Sequence, residues 1–198
     1  KNIEGSKVIA VRRFGKGLVI DLDNKNSVAI HIKLTGQLIY RGPETKKVKQ
    51  SPKVGGELPN KWTHVVFKLK RQPVRQAQGK NSKIKSASQK SKVEEGSGAY
   101  LYYNDLRQFG WIKIVKTDEV FNLPFFKNLG PELLPSSGQA FLTLQMFTKI
   151  IGSSNLAIKP LLMDQKKIGG IGNIYANDGL FDAGIDPRKR TKSLSEKE

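Results

Sequence analysis

The sequence contains no cysteine, which excludes a disulfide framework, a cysteine nucleophile, an iron–sulfur cluster and any cysteine-bound zinc on this chain. Acidic side chains are scarce: 17 Asp and Glu stand against 35 Lys and Arg, a formal charge of +18 at pH 7. Long apolar runs are missing too. None approaches the roughly 18 residues that a membrane-spanning helix needs, and no basic-then-apolar leader opens the chain. Hydrophobic residues nonetheless make up 37% of the 198 positions, enough for a packed core and against wholesale disorder. The length suits one ordinary domain or two small ones. A positive excess of this size attracts polyanions, nucleic acid first among them.

The charge is unevenly placed. Between Lys46 and Lys92 there are 14 Lys and Arg and one acid, Glu57. Within this stretch, Lys70 to Gly98 has no aromatic residue and is crowded with Gln, Ser, Lys and Gly. So few apolar side chains do not offset the entropy of ordering the segment, so 70–98 reads as a disordered insertion. It is either an inert solvated loop or a tether that adds sequence-blind attraction to phosphates.

Around the insertion the pattern has period two. Leu18, Ile20 and Leu22 share one face of a strand over Gly17–Leu22. Over Ser27–Leu34, Val28, Ile30 and Ile32 form an apolar face, with Ala29, His31 and Lys33 opposite. Asp23-Asn24-Lys25-Asn26 supplies turn chemistry between them. Trp62–Leu69, Ala99–Tyr103 and Gly110–Val115 read as further strands, about six in all and mostly antiparallel.

After Lys116 the period changes. Ala140, Leu144, Phe147 and Ile151 form one stripe of a helix, capped by Ser136 or Ser137 and broken at Gly152-Ser153-Ser154. A second helix runs through Leu161-Leu162-Met163 with Pro160 in its first turn. A third carries Ile174, Ala176, Leu180 and Phe181 to Ala183-Gly184, and a frayed charged tail follows from Arg188. Strands first and helices second predict an α+β chain of two lobes: an antiparallel β-sandwich over 1–116, a connection over 117–135 and a helical lobe over 136–198. No internal repeat is evident.

Gly169-Gly170-Ile171-Gly172-Asn173 is the most informative stretch. Glycines in a helix each cost about 1 kcal/mol relative to alanine, so they are not there for helix stability. They allow a sharp turn and close approach to bare N–H donors. Asn173 stands where the next helix starts, so its side chain is expected to cap that helix above a natural phosphate site. A tight helix–helix turn without a ligand would read the same way. No nucleotide fingerprint is present: no strand precedes the glycines and the Walker lysine is absent.

The run from Ile158 to Arg188, I-K-P-L-L-M-D-Q-K-K-I-G-G-I-G-N-I-Y-A-N-D-G-L-F-D-A-G-I-D-P-R, closely resembles the helix–two-turn–helix segment of the formamidopyrimidine-DNA glycosylase/endonuclease VIII family. Three further runs agree in order. H-I-K-L-T-G (31–36) is similar to the family's H-L-G-M-S-G, Y-N-D-L-R-Q-F-G (103–110) to Y-x-D-P-R-R-F-G, and L-G-P-E-L-L (129–134) to L-G-P-E-P-L. The resemblance spans about Val8 to Arg188 except for the basic insertion.

The resemblance implies a monomeric intracellular repair enzyme whose partner is damaged double-stranded DNA. Such an enzyme bends the duplex, flips out an oxidised base, excises it and cleaves the abasic site by elimination. Lys16, His31 and Asn173 match positions that hold phosphates flanking the lesion, with Gly170 and Gly172 in the turn beside Asn173. Leu34, where the family has Met, falls with Arg107 and Phe109 among the side chains that fill the vacated base position. For Leu34 to do so, its strand must end by Lys33; strict alternation would bury it with Ile30 and Ile32. Lys159 matches a lysine near the active site, an auxiliary role. Asp105, Asp164 and His64 read as structural, and Glu132 as a strap between lobes.

The family's nucleophile is an N-terminal proline followed by a catalytic glutamate, and its C-terminal zinc finger normally has four cysteines. Lys1-Asn2 is neither of the first pair, and the cysteines are missing. The expectation is therefore an internal fragment of a bifunctional glycosylase/AP lyase, with no catalytic residue and no cofactor of its own, zinc belonging to the complete protein if the finger is present. Two alternatives compete: a catalytically inactive relative that only binds damaged DNA, and a basic RNA-associated protein. A Pro-Glu start upstream discriminates the first, and the Arg107/Phe109 pair argues against the second.

Overall fold

The computed structural model describes residues 2–45, 56–70, 98–133, 140–195 and 197–198. Most of the basic insertion, and the helix caps sought at Ser136 and Ser137, lie outside the described residues. The chain is α+β, strands first and helices after, and divides into two compact units: Lys1–Lys33 with Trp111–Glu198, and Leu34–Gly110.

The first unit is built on an antiparallel sheet of order β1-β2-β3-β7. Its strands are β1 (Val8–Phe14), β2 (Gly17–Leu22), β3 (Asn26–His31) and β7 (Trp111–Lys116). The β2–β3 turn has the expected chemistry: Lys25 takes a left-handed φ of 60° and the Asn26 N–H donates to Asn24 Oδ1 at 3.1 Å. Strand β1 was not anticipated, because its alternation is weak and interrupted by Arg12 and Arg13. Strand β3 ends at His31 rather than at Leu34.

A 3-10 segment (Thr117–Asn122) and the short helix α1 (Pro124–Lys127) follow β7. Their Val120 and Phe126 complete a core with Phe14, Val19 and Ala29, and Trp111, Leu123 and Phe125 pack against it. Gly17 lies directly beneath the rings: a Cβ there would come within 2.7 Å of Phe125 and Phe126. Small residues at Gly17 and Ala29 thus admit aromatic rings on the strand face that alternation assigned to solvent.

Helices α2 (Leu144–Gly152), α3 (Ile158–Met163) and α4 (Asn173–Asp182) complete this unit. Thr143 caps α2, accepting from the Met146 N–H at 3.2 Å, so Ala140 precedes the helix instead of opening its stripe. Ile158, Leu161, Leu180 and Ile185 form a second core. Ile174 and Phe181, the other large apolar residues of the third helix, are exposed. The tail is docked rather than frayed. Thr191 is buried, its hydroxyl donates to the Ser154 carbonyl at 2.5 Å and its N–H donates to the Leu156 carbonyl at 3.0 Å.

The second unit is an antiparallel sheet of order β4-β6-β5, formed by β4 (Gly36–Arg41), β5 (Thr63–Leu69) and β6 (Ala99–Asp105). Gly36 pairs with Asp105, so the chain entering β4 and the chain leaving β6 emerge side by side.

Candidate nucleic-acid interface

In the first unit the glycine turn is held by side chains around it. Gln165 reaches across it, donating through Nε2 to the Ile171 carbonyl at 2.7 Å and accepting through Oε1 from the Gly170 N–H at 3.0 Å. Gly170 has φ +90°, a left-handed conformation that strains other residues. Lys16 Nζ donates to the same Ile171 carbonyl at 2.8 Å. A Cβ on Gly172 would stand 3.1 Å from that ammonium, so the bare glycine lets the cation approach. Partial burial, then the charge of Lys33, holds the Lys16 ammonium below its ordinary pKa.

Asn173 is exposed at the first position of α4. Its side chain does not cap the helix as anticipated: the N-cap is Gly172 and no side-chain bond closes it. A cap must precede the helical residues, and Asn173 is already one of them. The amides of Gly172, Asn173 and Ile174 have no acceptor among the described residues. They form a cluster of free donors beside Lys16 at the positive end of a helix.

Glu132 fixes this arrangement. It is only 2% exposed, pairs with Arg13 at 2.8 Å and accepts from the Gly15 N–H. Glu132 is also bridged to Gly169. The strap expected at Leu-Gly-Pro-Glu therefore ties the β1–β2 turn, which carries Lys16, to the glycine turn.

His31 departs from the solvent-facing position that alternation gave it. It is 4% exposed, with Phe125 edge-on at 4.4 Å and Trp111 at 6.0 Å between ring centroids. Its Nδ1 accepts the Lys33 N–H at 3.0 Å, which puts the imidazole proton on Nε2. Nε2 has no partner among the described residues. Burial first, then the charges of Lys33 and Lys16, lowers the pKa of His31 to about 4. The ring is neutral at pH 7 and offers one N–H.

In the second unit, Leu34 is 78% exposed. The strand ends before it and Lys33 turns the chain with φ 51°. Phe109 is 59% exposed, and the Arg107 guanidinium lies 5.5 Å from its ring centroid. One carboxylate organises both loops. Asp105, 1% exposed, accepts from Thr35 Oγ1 at 2.5 Å, the Gly110 N–H at 2.8 Å, the Arg107 N–H at 3.3 Å and the Tyr103 hydroxyl at 3.3 Å. Burial raises its pKa, but the bonds from Thr35, Gly110, Arg107 and Tyr103 outweigh that and leave it lowered. His64 is tied to the Asp105 carbonyl at 2.8 Å.

Lys159 lies on α3, half-buried, with its N–H on the Pro187 carbonyl at 3.3 Å. Asp164 accepts the Lys166 N–H at 3.0 Å at the end of α3. The organising roles of Gln165 and Thr35 escaped the sequence reading, and so did Lys33. Thr35 stands inside a motif-bearing turn, a signal that could have marked it, whereas Gln165 precedes the glycine run and gave none. Among the described residues no group of three or more His, Asp or Glu is gathered as a metal site, and no helix is long and apolar enough to cross a membrane.

Residues 1–112 match the formamidopyrimidine-DNA glycosylase N-terminal domain, and residues 129–198 match the formamidopyrimidine-DNA glycosylase H2TH domain. The chain is 31% identical over its whole length to the formamidopyrimidine-DNA glycosylase of Pelotomaculum thermopropionicum and 32% identical to that of Carboxydothermus hydrogenoformans, covering 56% and 55% of them. It thus spans about half the length of these curated relatives. Among solved structures, the Lactococcus lactis formamidopyrimidine-DNA glycosylase bound non-covalently to DNA containing an AP site superposes with a TM-score of 0.68 at 23% identity, covering 97% of this chain and 57% of that one. The same enzyme with FAPY-dG-containing DNA gives the same TM-score and identity, with 56% of that chain covered.

Proposed function

Because the chain belongs to the formamidopyrimidine-DNA glycosylase family, we propose that it grips duplex DNA at a damaged nucleotide and occupies the space that the extruded base leaves. The observation that supports this best is the trio Leu34, Arg107 and Phe109, held out into solvent from two loops that one buried carboxylate ties together. Extruding a base costs a few kcal/mol of stacking and pairing. Apolar surface and a guanidinium entering the stack offset that loss. An exposed phenyl ring with a cation over it has no folding role that would require it to stand in water.

In this reading Lys16, Asn173 and the amides of the glycine turn hold phosphates. Lys16 contributes charge, and His31 contributes a neutral Nε2–H. Gly170 permits the turn and Gly172 leaves room for the ammonium. Lys159 is assigned the auxiliary role near the reacting sugar. Release of an oxidised base and scission of the abasic strand by β/δ-elimination are proposed for the whole protein, acting as a monomer with an N-terminal Pro-Glu. A terminal amine suits that attack, since its pKa of about 8 leaves a neutral fraction near pH 7. Zinc does not fit the residues present: there is no cysteine and no candidate ligand cluster among the described residues.

The test compares binding of Phe109→Ala to a duplex with one abasic site and to the intact duplex. Burying the exposed part of a phenyl ring is worth about 1–2 kcal/mol, so preference for the abasic duplex should fall roughly tenfold while intact-duplex affinity holds. Equal losses on both duplexes would remove the void-filling role.

A further inference from the structure

We propose that Lys33 makes a second cationic contact to the DNA backbone, on a phosphate neighbouring the one assigned to Lys16. The proposal rests on the phosphate-gripping reading above and extends it to a residue which that reading does not use.

The placement comes from the hairpin. Gly17 pairs with His31 across β2 and β3, so Lys16, just before β2, and Lys33, two residues after His31, leave the sheet at the same end. Lys33 is exposed, and no carboxylate forms an ion pair with it or with Lys16 among the described residues. Its backbone is left-handed at φ 51°, a conformation that costs a non-glycine residue about 1 kcal/mol or more. A lysine here carries that backbone cost while placing an exposed ammonium at this end of the hairpin.

A second, independent observation points to an anion at the same place. His31 Nε2–H belongs to a side chain more than nine-tenths buried and has no partner among the described residues. A buried donor left unpaired costs about 1–3 kcal/mol, and an incoming phosphate oxygen removes that cost. The two lysines also disfavour each other: the charge of Lys33 contributes to the lowered pKa of Lys16. An anionic strand along this end of the hairpin turns the repulsion into joint attraction.

The experiment measures how binding of the 198-residue chain to a duplex with one abasic site depends on salt. Each phosphate neutralised by a lysine or arginine contributes about 0.9 to the slope of log K against log salt. Lys33→Gly relaxes the turn, so it is expected to fold at least as well as the parent. Its slope should fall by about 0.9, so a fourfold rise in salt weakens it about 3.5-fold less than the parent. Lys33→Arg should keep the parental slope. Lys16→Ala is measured alongside. A parental slope in Lys33→Gly with a reduced slope in Lys16→Ala overturns the role of Lys33 alone. Parental slopes in both overturn it together with the phosphate-gripping reading.

Discussion

At neutral pH the buried imidazole of His31 should act as an uncharged strut whose protonation destabilises the first unit. In the folded chain its pKa is about 4, whereas a histidine in an unfolded chain titrates near about 6.5. Between those values the unfolded state takes up a proton that the folded state refuses, so stability falls as the pH drops. The contribution is fully present above about 6.5 and fully lost below about 4. A gap of about 2.5 pH units at about 1.4 kcal/mol each makes it roughly 3–4 kcal/mol. Urea unfolding of the parent and of His31→Gln from about pH 7.5 down to about pH 4.5 isolates the effect, since glutamine does not titrate. The stability difference between the two should shrink by most of that amount as the pH falls. A difference that stays flat would refute the burial and charge argument. The neutral ring carries a second consequence: His31→Gln should leave the salt slope of DNA binding unchanged, because an uncharged donor displaces no counterion.

Asp105→Asn keeps the side chain's shape but turns an NH2 toward donors that now meet an oxygen. With charge-assisted bonds lost and a buried donor stranded, the second unit should lose about 3 kcal/mol in denaturant unfolding, and abasic-site preference should fall with it. Unchanged stability would mean the carboxylate does not organise the loops. Two glycines should respond with opposite signs. A Cβ on Gly130 would meet the Lys167 carbonyl at 2.6 Å, whereas one on Gly179, inside α4, meets nothing within 4 Å. Gly130→Ala should cost about 1–3 kcal/mol and Gly179→Ala should add about 0.5–1 kcal/mol, both read from thermal melts.

What could be read without coordinates followed local chemistry. The β2–β3 hairpin was legible because period-two alternation and an Asp-Asn-Lys-Asn turn agree. Helix α3 was legible because Pro160 sits inside its first turn. The emergence of Leu34 depended on one backbone angle at Lys33, which alternation alone does not report. His31 was misplaced because the aromatic cover arrives from residues about ninety positions later in the chain. Phe125 reaches it over Gly17, where a Cβ would come within 2.7 Å of the ring. The cap was assigned to Asn173 because asparagine favours that role, but the left-handed turn at Gly170 carries the chain into α4 through Gly172 instead. Gln165 went unnoticed since glutamine has no strong positional preference; only the closed turn shows its amide bonded on both edges.

Glu132 gathers Arg13 and Gly15 from one end of the chain and abuts Gly169 near the other, across a separation from Gly15 of 117 residues. Closing so long a loop is entropically expensive and comes late. A nascent or half-assembled chain could therefore have its hairpin formed and yet hold Lys16 nowhere near the glycine amides. Competence to grip an anion would then arise in one step, when the last long-range clasp shuts.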